Sequence, residues 1–205
     1  MQIRCPRFFV ALMGFSLLSA CASTSVRSQT DPQLAGRTFH KVLVFVNLSD
    51  LGLRQDAERQ FRTTLAAYRV EAVPSAEFFF PGRTYVAEEV GKILADAQIE
   101  AVLIVAAAGT GTSASWIPQT ATTQGTATVS GNTVTGRATT QTYGGYYVNK
   151  PWAQFDASLF DLASGKNVWV ASMSSKGNAF AGWDDLARSM AKKTAARLVK
   201  DRIVK

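Results

Sequence analysis

Between Phe39 and Ala107 the hydrophobic period of the chain switches four times, which restricts the fold more than any other feature of the sequence. Phe39 to Val46 (Phe-His-Lys-Val-Leu-Val-Phe-Val) is β-branched and aromatic and ends at Asn47-Leu48-Ser49-Asp50, the pattern of a buried strand followed by a turn and a helix start. From Arg54 to Arg69, Ala57, Phe61, Leu65 and Tyr68 recur at spacings of four and three, giving one apolar helical stripe. Val70 to Val73 is a short strand closed by Pro74, and Phe78-Phe79-Phe80-Pro81-Gly82 a hydrophobic loop or strand end. Thr84 is placed to cap a second helix with Val86, Val90, Ile93, Leu94 and Ala97 on its core face and Glu88 and Glu89 in its first turn. Glu100 to Ala107 is then a nearly all-apolar strand, which predicts a central place in the sheet.

From Gly109 to Lys150 the composition changes: no acidic residue occurs, and Thr, Gly, Ser and Gln dominate. Val129 to Val134 reads as a turn joining two threonine-rich arms, which predicts a long β-hairpin with small side chains on both faces. The other reading of the same residues is a disordered low-complexity insertion. Trp116, Tyr143, Tyr146, Tyr147 and Trp152 flank this segment and are expected to pack it down at its base. Phe155 to Leu162 and Val168 to Ser174 form a second hairpin across Ala163-Ser164-Gly165-Lys166-Asn167. A final helix from Trp183 to Val204 opens on Asp184-Asp185, closes on Lys200, Arg202 and Lys205, and presents Leu186, Met190, Ala191, Leu198 and Val199 to the core. The expected fold class is α+β: one domain, a mixed β-sheet flanked by two to three helices, with a long Thr/Gly-rich hairpin.

The first residues set an address. Arg4 and Arg7 form a basic start, Phe8 to Leu18 an apolar run of eleven residues, and Ser19-Ala20 a small-residue cleavage context. That run is shorter than the roughly 20 residues a membrane-crossing helix needs. Leu18-Ser19-Ala20-Cys21 resembles a bacterial lipoprotein processing site, which implies cleavage before Cys21 and attachment of acyl chains, palmitate among them, to that cysteine. The alternative is an ordinary cleaved signal with a chance cysteine beside it. Two or three acyl chains, at about 0.8 kcal/mol per buried methylene, make an anchor effectively permanent. Ala22 and Ser23 follow with no aspartate, which by resemblance to the Gram-negative sorting pattern implies a periplasm-facing protein held in the outer membrane. The expected organisation is a signal peptide over 1–20, a flexible lipidated tether over 21–36 and a periplasmic α/β domain over 37–205, with the insertion hairpin at about 109–150.

The inventory of reactive groups points away from catalysis. Cys5 lies in the signal and Cys21 is assigned to lipid, so neither is available as a disulfide, metal ligand or nucleophile in the domain. Of 22 basic residues the signal holds Arg4 and Arg7, and it holds none of the 15 acidic ones; the remaining excess of five is a solvated surface and no nucleic-acid footprint. His40 is the only histidine, so a metal site or a Ser-His-Asp relay would rest on it alone, and a weak hydrolase built on His40 is the least favoured reading. Gly109-Thr110-Gly111-Thr112-Ser113-Ala114 nearly spells a nucleotide fingerprint, yet Trp116-Ile117-Pro118 and the threonines beyond are poor material for the helix that motif requires. Glu88-Glu89 and Asp184-Asp185 sit where helix starts favour negative charge, and Asp156 and Asp161 fall on opposite faces of one strand. No catalytic, cofactor-binding or metal-binding residue is therefore assigned, and no small-molecule substrate; the expected partners are the membrane, through the anchor on Cys21, and an envelope protein.

Asp161, Ser164, Gly165 and Lys166, followed by Val168-Trp169, carry a wider resemblance. With the strand-helix-strand-helix-strand opening and the closing helix, residues 37 to 205 outside the threonine-rich hairpin resemble the small envelope lipoproteins that share a fold with the amino-terminal domain of TolB, the curli-secretion lipoprotein and the penicillin-binding-protein activator lipoproteins. The resemblance implies a non-enzymatic binding or assembly module of the cell envelope. It also implies an alternative, a subunit of an oligomeric secretion pore, although two faces of threonine and glycine would lack the apolar band a barrel needs.

Overall fold

The protein is described by a computed structural model over residues 22–34, 36–130 and 133–205. The strands are β1 (Ala22–Thr30), β2 (Lys41–Asn47), β3 (Glu71–Pro74), β4 (Ala101–Ile117), β5 (Thr120–Ser130), β6 (Thr133–Tyr143), β7 (Tyr146–Asp161) and β8 (Lys166–Gly177), and the helices are α1 (Leu51–Ala66), α2 (Ala87–Asp96) and α3 (Trp183–Lys200). Six strands form one mixed sheet in the order β1-β8-β7-β4-β2-β3, and β5 and β6 form a separate two-stranded sheet. β2 is parallel to β3 and β4, because α1 and α2 return the chain to the same edge; the remaining neighbours are antiparallel.

Strand alternation divides the core between the two faces. Val42, Val44 and Val46 of β2, Leu103 and Val105 of β4 and Leu159 of β7 join the main cluster with Phe61 and Leu65 of α1 and Met190 and Leu198 of α3, all fully buried. Leu43 points the other way and meets Val73, Leu94 and Ile99 under α2. Each such side chain stabilises the fold by about 1.5–3 kcal/mol through burial. α1 is capped as its sequence suggests, with Leu53 N–H donating to Asp50 Oδ1 at 2.8 Å. α2 starts two residues later than a Thr84 cap would place it: Val86 occupies the cap position without a side-chain bond and is exposed, so Glu88 and Glu89 are what favours this helix start. Tyr68 lies beyond the end of α1 and is exposed, leaving Ala57, Phe61 and Leu65 as the stripe.

All three helices end in the same way. Arg69, Gln98 and Arg202 have φ of 63°, 55° and 58°, and each is followed by a buried apolar residue, Val70, Ile99 or Ile203. Val70, Ile99 and Ile203 N–H donate to the carbonyls of Leu65, Leu94 and Leu198, the six-to-one bond of a Schellman cap. Holding a side-chain residue in the left-handed region costs roughly 1–2 kcal/mol. Arg69→Gly, Gln98→Gly and Arg202→Gly are therefore each expected to raise stability by about 0.5–1 kcal/mol, read from urea unfolding midpoints. Lower midpoints in all three would refute this account of the helix ends.

The tether expected over 21–36 is corrected by β1. Ala22 to Thr30 pairs along its whole length with β8, from Ala22–Gly177 to Thr30–Trp169. Ala22, Thr24, Val26, Ser28 and Thr30 turn inward and the residues between them face solvent. Hydroxyls fill the place of an apolar face: Thr24 bonds Ser175 and Ser189 at 2.8 Å each. Cys21 and the expected signal peptide lie outside the described residues.

Candidate functional site

β4 and β7 outrun the sheet. β2 pairs with β4 only as far as Ala106, and β8 pairs with β7 only up to Trp152, yet β4 and β7 continue against each other to Ile117 and Tyr146. The glycine-rich run after Ala108 is thus part of β4, and the element that follows is β5, not a helix. The Trp152 indole lies across it, and a Cβ on Gly111 would stand 2.7 Å from the ring, so the position accepts only glycine without displacing the tryptophan.

Beyond this ribbon comes a joint. Gly144 and Gly145 have φ of 88° and 75°, Gly145 N–H donates to Ile117 O at 2.8 Å, and a Cβ on Gly144 would fall 2.0 Å from the Pro118 carbonyl oxygen. The chain then enters β5 and β6, eleven residues each and paired from Thr120–Tyr143 to Ser130–Thr133. Each has the other as its one neighbour, and every described side chain in the pair is exposed. At roughly 3.3 Å per residue β5 alone reaches about 35 Å.

The register sorts the hairpin into two unlike faces. Ala121, Thr123, Gly125 and Ala127 share one face with Thr142, Thr140, Ala138 and Gly136, and this face holds no charge and no amide side chain. Gln124, Arg137 and Gln141 all lie on the other, among threonines and Tyr143. Small side chains do occur on both faces, as expected, but the two differ: one is uncharged and free of amides, and the other carries Gln124, Arg137, Gln141 and Tyr143. Of the flanking aromatics Trp152 packs down on the ribbon, whereas Trp116, Tyr143, Tyr146 and Tyr147 are exposed, with Trp116 and Tyr147 in contact at a ring-centroid distance of 4.9 Å.

The polar residues elsewhere hold the fold together. Asp161, in the motif that carried the family resemblance, is buried and accepts from Ser164 Oγ at 2.6 Å and Ala163 N–H at 3.1 Å, with Arg37 at 2.7 Å. Burial pushes its carboxyl up, but the Ser164 hydroxyl, the turn amides and the Arg37 guanidinium outweigh it and hold it below the usual carboxylate range. Asp201 behaves alike: burial raises it, and the bonds from Ser28, Trp169 Nε1 at 2.9 Å and Arg197 bring it below the usual range. Trp169 is fully buried over this contact, so the motif's tryptophan serves the core. Asp156 instead points outward and accepts from Ser172, while Asp184 and Asp185 accept from Arg188 at the start of α3. His40 is exposed, 3.8 Å from Glu100, and among the described residues no cluster of three potential metal ligands occurs.

These two carboxylates make the stability of the fold sensitive to acid. Each binds its proton more weakly in the folded chain than in the unfolded one, so the unfolded state takes up more protons as pH falls, and stability falls with it. The contribution is complete above the unfolded aspartate value of about 3.9 and is lost as pH drops through the folded values. Unfolding free energy is expected to be insensitive to Asp161 and Asp201 ionisation above pH ~5 and to decline below ~4, with a shallower decline in Asp161→Asn. An unchanged slope in that variant would contradict the assignment.

No protein-family model matches the chain, and no curated protein matches it in sequence. Solved structures similar to it include two chains that it covers almost completely. One is the PelC dodecamer from Paraburkholderia phytofirmans, 16% identical over 89% of this chain and 99% of that one, with a TM-score of 0.48. The other is the lipoprotein GNA1162 from Neisseria meningitidis, 15% identical over 78% of this chain and 98% of that one, with a TM-score of 0.42.

Proposed function

We propose that this chain is an outer-membrane-anchored, periplasm-facing lipoprotein that works as a non-enzymatic assembly module of the cell envelope, with the β arm as its assembling element. The observation that supports this reading best is the hairpin of β5 and β6, which buries none of its described side chains and leaves one edge of each strand unpaired. A lone two-stranded hairpin is marginal in water, and open edges invite added strands. A photo-crosslinker at Thr126, on the polar face of the hairpin, should capture a second copy or another envelope protein in intact cells. Recovery of uncrosslinked monomer alone would end the proposal.

A second reading, a subunit of an oligomeric secretion pore, is favoured by the split between the hairpin faces. Strands of eleven residues match the 9–11 a membrane-crossing β-strand needs, and separating an uncharged face from one with Gln124, Arg137 and Gln141 follows the lipid-out, lumen-in alternation of a barrel. Purified full-length protein should then give stepwise conductance in planar bilayers. Silent bilayers at protein loads that yield inserted oligomer would remove the pore and leave the assembly module standing.

A further inference from the structure

We infer that the end of the domain from which the arm projects is a bilayer-contacting surface, seated among phospholipid headgroups by Phe180, Trp183 and the Trp116–Tyr147 ring pair. This rests on the assignment of Cys21 as the lipid-bearing residue and adds an orientation to it. Ala22 is already part of the sheet: it pairs with Gly177, and its carbonyl accepts from Ser189 Oγ at 3.3 Å. Consecutive Cα atoms lie about 3.8 Å apart, so lipid on Cys21 joins the folded body with no spacer. Whatever surrounds Ala22 must then lie at the membrane.

That neighbourhood is aromatic. A Cβ on Gly177 would fall 2.8 Å from Ala181 and 2.9 Å from Pro151, which places the turn before α3 beside the Ala22 end of the sheet. This turn and the start of α3 expose Phe180 and Trp183, at 67% and 40% of their surface. The ladder then runs level from Lys176 through Trp152 to Gly111. Along the arm from there, Trp116 and Tyr147 stand five residues further out, or about 17 Å at 3.3–3.4 Å per residue, more than the depth of a headgroup layer, so both sets of rings are seated with the arm lying along the bilayer surface. Trp and Tyr favour the headgroup level, where the ring is shielded and its polar edge stays wet. Lys150 and Lys176 occupy the same end, and residues 109–150 contain no carboxylate to repel anionic headgroups. A bilayer fits these features better than a second copy, since six exposed aromatic residues, counting Tyr143 and Tyr146, gather on the side where the anchor emerges.

The test is tryptophan quenching in vesicles of phosphatidylethanolamine and phosphatidylglycerol carrying a shallow spin-labelled lipid, with full-length protein whose intact mass is measured on the same sample. Emission of Trp116 and Trp183 is expected to fall at least about twofold, and a W116F/W183F variant, altered only at exposed rings, should lose that quenching while the emission that remains, from buried Trp169 and from Trp152 packed on Gly111, stays bright. Acylated protein with unquenched Trp116 and Trp183 would overturn the inference while keeping the anchor. A blue shift without lipid quenching would assign the surface to a second copy and also overturn it. Quenching without acyl mass would uphold the surface and remove the anchor assignment; absence of both would remove both.

Discussion

Excising Thr120–Tyr143 and joining Gln119 directly to Gly144 is expected to abolish assembly of the full-length protein while changing its unfolding free energy by less than about 1 kcal/mol. The two halves of this outcome have separate causes. No described side chain of β5 or β6 contributes to either hydrophobic cluster, so the core loses nothing. Pro118, Gln119, Gly144 and Gly145 already bring Ile117 and Tyr146 together and remain to close the ribbon. What disappears is the open strand edge on which the proposed assembly depends. Size-exclusion chromatography with light scattering in mild detergent, beside a urea titration, reads both quantities. Oligomers surviving the excision would move the interface away from the arm, and a fall of several kcal/mol would mean the hairpin supports the domain.

Glu58→Ala is expected to destabilise the domain by about 3 kcal/mol or more, the usual cost of removing one partner from a buried ion pair. Glu58 Oε1 accepts from Val46 N–H at 3.1 Å, Ser75 Oγ at 2.7 Å and Arg54 Nε at 3.3 Å, tying the end of β2, the turn after β3 and α1 to one atom. Arg54 in turn donates to Ser75 Oγ at 2.9 Å and stacks 4.7 Å from the centre of the Phe45 ring. Removing the carboxylate strands an amide hydrogen, a hydroxyl and a guanidinium in places water reaches poorly. Glu58→Gln keeps an acceptor for Val46 and Ser75 and should cost about half as much. Equal losses for the two variants, or a loss below about 1 kcal/mol for alanine, would contradict this account.

How far the sequence foretold these features follows from how locally each is encoded. β2, the first half of β4 and the hairpin of β7 and β8 contain apolar runs bounded by turn residues, so periodicity alone marks them as strands, while the pairing of β4 with β2 and β7 is carried by contacts far apart in the chain. β1 escaped because its inward face is Ala22, Thr24, Val26, Ser28 and Thr30, whose hydroxyls meet Ser175, Ser189, Asp201 and Arg197 from distant parts of the chain. A polar strand of this kind resembles a tether until its partners are known. The helix caps were equally hidden, since Arg69, Gln98 and Arg202 hold a conformation that glycine would have advertised. In the arm, threonine occurs on both faces, so only the register shows that Gln124, Arg137 and Gln141 share one side. Glu58 looks like an ordinary surface residue of an amphipathic helix until Val46 and Ser75 are brought to it.

The most direct test of the central claim is intact and native mass of the full-length protein extracted from bacterial membranes in mild detergent. The account predicts a chain beginning at Cys21, carrying acyl mass and migrating as a complex that the excision of Thr120–Tyr143 reduces to monomer. A chain without acyl mass, or an acylated monomer with the arm intact, would contradict it.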